Sequence, residues 1–210
     1  MMDYILEILP ALVSGAGMTL KVFFFTLLGS IPLGIIIAFI LQSSFKPLRY
    51  LINLYIWLMR GTPLLLQLIF VFYGLPLICI VFERYDAALF AFILNYAAYF
   101  AEIFRGGIQA IPQGQYEAAK VLRLTRFQTV TRIILPQVVK IVLPSVGNEI
   151  INLVKDTSLI YVLGLGDLLR AGKIAMSRVP LALVGVIYLL FTAILTVASK
   201  KIEKFYQYYK

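Results

Sequence analysis

Apolar positions dominate this chain in runs much longer than the buried face of a soluble helix. Five stretches stand out, residues 12–41, 51–82 with Arg60 near its start, 87–105, 133–156 and 179–199. Each approaches or exceeds the roughly 20 residues that carry a helix across a hydrocarbon core of about 30 Å. In lipid, only a helix or a closed barrel satisfies its own backbone groups, and runs of this length favour helices. The pattern therefore predicts an all-α integral membrane protein of five transmembrane helices, forming a single domain over residues 1–210.

Proline and glycine interrupt several of these stretches, at Ile31-Pro32, Gly61-Thr62-Pro63, Gly74-Leu75-Pro76 and Leu143-Pro144. A proline removes one helical N–H and crowds the carbonyl a turn earlier. Singly such sites read as ordinary irregularity of membrane helices, and together they suggest a molecule that moves. No internal repeat or low-complexity stretch is present.

Composition agrees with a bilayer as solvent, since 61% of the 210 residues are hydrophobic and only 14% are charged. One soluble core cannot hide that much apolar surface. The net charge of +9 does not point to nucleic acid, because the basic residues are dispersed between apolar runs instead of forming one solvent-facing patch. They read better as topology. Lys46, Arg49, Arg105, Lys120, Arg123, Arg126, Arg132, Lys200, Lys201, Lys204 and Lys210 fall on one side of the spans, and Arg84, Arg170, Lys173 and Arg178 on the other. Basic residues resist translocation, so the first side is expected in the cytoplasm, the N-terminus outside and the C-terminus inside. The longest polar loop, residues 106–132, is then cytoplasmic and expected to meet a cytosolic partner. Residues 1–10 carry Asp3 and Glu7 without a basic segment, so no cleaved signal peptide is expected. Histidine is absent and Cys79 is the only cysteine, which leaves no disulfide, no histidine proton relay and no His/Cys metal site.

Polar residues inside the spans mark the candidate chemistry. At 100° per residue, Asn148, Glu149, Asn152, Lys155 and Asp156 share an arc of about 120° on the fourth span. Ionisable groups at membrane depth face the protein or a wet cavity. This face reads equally as a substrate pathway or as an internal lock in which Lys155 pairs with a carboxylate. On the third span Asn95, Tyr99, Glu102, Gly106 and Gln109 share an arc of about 80°. Glu102 and Arg105 are three residues apart, and mutual pairing explains Arg105 better than substrate contact does. In the cytoplasmic loop, Pro112-Gln113-Gly114 opens a good helix former over residues 115–122. Periodicity alone leaves it a surface lid or a docking element.

That loop carries the most specific motif. Glu117, Ala118 and Ala119 are followed at fixed spacing by Ile133, Leu135 and Pro136, which resembles the Glu-Ala-Ala signature of permease subunits of ATP-binding-cassette importers. Arg123 stands where that signature has glycine. Arg60-Gly61-Thr62-Pro63-Leu64 with Gln67, Ala98 through Ile108, and Lys155-Asp156-Thr157-Ser158-Leu159 are similar to the polar amino acid branch of the family, the histidine, glutamine and arginine type. The likeness runs over about residues 15–161.

The resemblance implies a pathway subunit and not an enzyme. By it, two permease subunits, as homo- or heterodimer, form the route for a polar amino acid. Two cytosolic ATPases bind ATP and Mg, and an extracytoplasmic binding protein delivers the substrate. The chain itself would hold no cofactor or metal. Its nearest P-loop-like string, Gly166 through Gly172-Lys173, has one residue too many and Ile174 where Ser or Thr is needed. The location implied is a bacterial-type cytoplasmic membrane. Glu117, Ala118, Ala119, Leu122 and Arg123 would belong to the coupling helix on the ATPase, with Arg60, Gly61, Pro63 and Pro136 as structural motif positions. Asn95, Tyr99, Glu102, Asn148, Glu149 and Asn152 are the expected pathway residues. An ion-coupled secondary transporter using Glu102, Glu149 and Asp156 is the alternative, and an intramembrane enzyme lacks a nucleophile–base pair.

Overall fold

The computed structural model describes residues 2–166 and 178–207, and every regular element within them is helical. In chain order these are α1 (Met2–Leu41), α2 (Lys46–Gly61), α3 (Leu64–Ile69), α4 (Arg84–Gln109), α5 (Gln113–Val121), α6 (Arg126–Thr129), α7 (Leu135–Asp156) and α8 (Arg178–Gln207). Arg170, Lys173 and Lys210 of the charge count, and the Gly172-Lys173-Ile174 string, lie outside the described residues.

Among the described residues four helical runs are long and apolar enough to cross a bilayer, Leu9–Leu41, Arg84–Gln109, Arg126–Leu163 and Leu181–Tyr206. The expected second span over residues 51–82 is not one straight helix. It is α2 followed by Leu64–Ile78, which meet at an angle of 106°. The break falls at Gly61-Thr62-Pro63, where Thr62 (φ −118°, ψ 145°) and Pro63 (φ −61°, ψ 135°) are extended. Pro63 disfavours a helical Thr62 and starts the next helix without needing an N–H partner. Beyond α3 the chain loosens into a π turn over Phe70–Gly74, tightens into a 3₁₀ turn over Leu75–Ile78 and stops at Cys79, whose φ is 64°. By contrast α1 continues through Pro10 and Pro32, and α7 through Pro144. Thus the motif at Gly61-Thr62-Pro63 breaks its span, whereas Ile31-Pro32 and Leu143-Pro144 do not.

The polar loop is shorter than expected from residues 106–132, because α4 reaches Gln109 and a helical run resumes at Arg126. Thr125 starts that run with a reciprocal cap: its Oγ1 accepts from the Gln128 N–H at 3.2 Å, and Gln128 Oε1 accepts from the Thr125 N–H at 2.9 Å. A π turn over Val130–Ile134 then leads into α7.

Helix α4 is the axis of the bundle. Ala87, Ala88, Ala91, Ala97, Ala98 and Ala101 are buried along it, and such small side chains let neighbouring helices approach closely. A Cβ on Gly34 of α1 would stand 2.7 Å from the Phe100 Cβ, so that crossing requires glycine. Gly29 meets Ile93 and Gly34 meets Phe100, while the Lys21 ammonium lies 4.6 Å over the Tyr85 ring. Residue numbers rise together along both helices, so α1 and α4 run parallel. Lys21, inside the first apolar stretch, is accommodated at the first turn of α4 by this cation–π contact.

Candidate functional site

A cavity of about 700 Å³ opens where the α2–α3 break, the middle of α4 and the last turns of α7 converge. Arg60, Gly61, Thr62 and Pro63 come from the break, Asn95, Tyr96 and Tyr99 from α4, and Glu149, Asn152, Lys155 and Asp156 from α7. Tyr96 stands about halfway along the 26-residue α4, so the cavity lies near the middle of the span. Its wall carries Arg60 from the break facing Lys155 and the two carboxylates Glu149 and Asp156 of α7, together with amides and phenols.

Hydrogen bonds hold the break open in a defined shape. Thr62 Oγ1 donates to the Leu58 carbonyl at 2.8 Å. Gln67 Nε2 donates to the Met59 carbonyl at 2.9 Å and lies 2.8 Å from Thr62 Oγ1. Asn95, 4% exposed, donates from Nδ2 to the Met59 carbonyl and to Gln67 Oε1, both at 3.0 Å. The Tyr55 hydroxyl adds a 2.5 Å bond to the Leu94 carbonyl. Carbonyls that a broken helix leaves without N–H partners are thereby satisfied by side chains, as a low-dielectric setting demands.

The charged residues are aimed as well. The Arg60 guanidinium lies 5.3 Å over the Tyr99 ring and 3.5 Å from Glu102 Oε2. Glu102 also accepts from Arg105 Nε at 2.9 Å and from its NH2 at 2.6 Å, the local pairing expected for residues three apart. On the opposite wall the Tyr96 hydroxyl donates to Asp156 Oδ2 at 2.7 Å. Among the described residues Lys155 forms no ion pair, and of the two readings of this face, pathway or Lys155–carboxylate lock, the lock is not formed; Asp156 is held instead by a tyrosine of α4.

Of the expected pathway residues, Asn95, Tyr99, Glu149 and Asn152 line the cavity, while Glu102 sits behind Arg60 and Asn148 is exposed outside it. Asn95 has its amide committed to the framework. Arg60, Gly61 and Pro63, read as structural motif positions, stand on the cavity wall. Tyr96, Thr62 and Gln67 complete the site. In the sequence Gln67 stands out only as part of a motif, and Tyr96 is inconspicuous because it lies a 100° step from Asn95, outside the polar arc of the third span.

Glu117, Ala118 and Ala119 lie on α5, with Glu117 and Ala118 exposed and Ala119 buried. Val121 and Leu122 are 82% and 69% exposed, leaving an uncovered apolar tip. The helix ends in a Schellman motif. The Leu124 N–H bonds the Ala119 carbonyl and the Arg123 N–H the Lys120 carbonyl, both at 3.0 Å. Arg123 takes the left-handed conformation, φ 52°, that usually calls for glycine. Arginine therefore keeps the turn at this position, with the strain of a side chain in αL. Pro136 opens α7. No group of metal-binding side chains occurs among the described residues.

A family model described as "Binding-protein-dependent transport system inner membrane component" matches residues 30–207. The chain is 37% identical over 202 residues to the arginine transport system permease protein ArtQ of Bacillus subtilis, covering 93% of this chain and 92% of that protein. A crystal structure of an amino acid ABC transporter with histidines contains a chain 34% identical to this one, with a TM-score of 0.88 over 95% of this chain and 96% of that chain. A structure of the MetNI methionine ABC transporter, at 18% identity and a TM-score of 0.72, shares the fold. The chain belongs to the family of binding-protein-dependent transport system inner membrane components, and is a multi-pass inner-membrane permease of an ABC transporter, not itself catalytic.

Proposed function

We propose that the chain forms the translocation route of an importer for a polar amino acid, with the mid-membrane cavity as the place where the substrate rests. The observation that carries this reading is the distribution of charge. Arg60 and Lys155 offer cationic partners for an α-carboxylate, and Glu149 and Asp156 offer anionic partners for an ammonium group. A zwitterion entering lipid depth needs both, because an unpaired charge there is costly. Tyr99 and Asn152 supply polar wall between them. The relative named for arginine transport and the solved amino acid ABC transporter with histidines support the amino acid class.

Coupling to a separate ATPase is assigned to α5. Its exposed Glu117, Ala118 and Leu122 present a compact docking tip, and Gln137 of α7 reaches Gln115 of α5 at 3.4 Å. Movement of α5 can thus be passed to α7, whose far end carries Glu149, Asn152 and Asp156, as rigid-body switching requires. Two permease subunits, a pair of ATPases and an external binding protein complete the assembly. The parallel run of α1 and α4 leaves one return crossing between them, made by α2 with Leu64–Ile78, which supports five crossings. The N-terminus is assigned to the outside by the basic residues at the C-terminal ends of α1 and α4, Lys46, Arg49 and Arg105.

The test is binding-protein-dependent uptake into vesicles after Tyr99→Ala, Glu149→Ala and Asn152→Ala, each alone. Loss of a charge-assisted hydrogen bond from Glu149 predicts uptake reduced about tenfold or more. Unchanged uptake in all three variants overturns the assignment of the cavity.

A further inference from the structure

We infer that the groove between the start of α7 and the end of α8 binds the anionic headgroup of a membrane phospholipid. The groove, of about 450 Å³, is lined by Arg132, Ile133, Pro136, Gln137, Lys140 and Tyr206. Two cations and a phenol stand over an apolar floor of Ile133 and Pro136. That combination suits a phosphate joined to acyl chains, not a solvated anion alone. Arginine and lysine gathered between helices at a membrane surface are the pattern by which acidic lipids are recognised.

Depth agrees with charge. The Tyr96–Asp156 bond marks the middle of the span, and Lys140 precedes Asp156 on α7 by roughly 16 residues, about 24 Å along the axis. That distance takes a tilted helix past the half-core of about 15 Å and into the headgroup layer. Leu135, 47% exposed, and Phe205, 66% exposed, adjoin the lining residues Pro136 and Tyr206 in the chain and offer apolar surface of the kind acyl chains need. Gln137, on the groove wall, reaches Gln115 of α5, which puts the headgroup one side chain away from that helix.

The experiment is native mass spectrometry of the full chain, purified in detergent with the subunits that accompany it. Phosphatidylglycerol and phosphatidylcholine of matched acyl chains are offered, with sn-glycerol 1-phosphate as the headgroup without chains. Phosphatidylglycerol is expected to be retained in preference to phosphatidylcholine. Arg132→Gln and Lys140→Gln are each expected to weaken that preference about fivefold, while Arg126→Gln, exposed and outside the groove, leaves it unchanged. Arg132 is exposed, so its replacement tests the site in a folded protein even where Lys140→Gln fails to fold. Equal retention of the two lipids overturns the inference, as does a preference that survives Arg132→Gln. Retention of glycerol phosphate as strong as that of the lipid would identify a soluble-phosphate site instead. A variant that changes only the number of associated chains would make the groove a subunit contact.

Discussion

The hydroxyl of Tyr96 donates a 2.7 Å hydrogen bond to Oδ2 of Asp156, joining the middle of α4 to the last residue of α7. Tyr96 is 2% exposed, so its hydroxyl finds no easy replacement in water, while Asp156 is half-buried on the cavity wall. Tyr96→Phe keeps the ring and leaves the carboxylate short of a donor, at a cost of about 1–3 kcal/mol. A lowered thermal midpoint of the purified protein checks this. Asp156→Asn retains an acceptor oxygen and is expected to cost less, and a larger loss for Asn than for Phe would refute the pairing as the main term.

Arg123 offers a prediction of opposite sign. Its φ of 52° closes α5 in a conformation glycine adopts without strain. Arg123→Gly is expected to stabilise the α5 turn by up to about 1 kcal/mol. Hydrogen exchange at the Arg123 and Leu124 amides should slow accordingly. Faster exchange in the glycine variant would show that the arginine side chain holds the turn by contacts outweighing the strain.

Asn95 and Gln67 form one unit around the α2–α3 break. Asn95→Ala leaves Gln67 Oε1 and the Met59 carbonyl each short of one donor, and is expected to cost about 1–3 kcal/mol. The pair is expected to be non-additive. Asn95→Ala combined with Gln67→Leu should cost less than the sum of the two single losses, which thermal melts of the double-mutant cycle can measure.

Gly34→Ala puts a methyl group 2.7 Å from the Phe100 Cβ and 3.1 Å from the Ala101 nitrogen, and backbone cannot yield as a flexible side chain does. Destabilisation of about 1–3 kcal/mol is expected. Gly17→Ala on the same helix meets nothing within 4 Å and serves as the control. Equal melting temperatures for the two variants would contradict the close crossing of α1 and α4.

Much of this was legible in the order of residues. The polar faces of the third and fourth spans follow from a 100° step, and that step is what brings Tyr99, Glu149 and Asn152 to one cavity. Periodicity does not show what a residue is bonded to. Asn95 lies on the same stripe as Tyr99, yet its amide is taken up by carbonyl and amide groups brought near only because the chain turns at Gly61-Thr62-Pro63. The turn itself was visible as a proline site, but four such sites looked alike, and only this one lies where side chains of α3 and α4 cap the freed carbonyls. Arg60 likewise became a cavity residue through that bend and not through its place on a helix face.

The π turn over Val130–Ile134 sets the phase of everything that follows it. A π turn holds one residue more than an α turn, so it swings the rest of the run by about 100° relative to an uninterrupted helix. Between the capped start at Thr125 and the acidic wall at Glu149 and Asp156, that extra residue works as an aiming device. Removing it would leave every cavity side chain in the chain but turn the wall that α7 contributes away from the cavity.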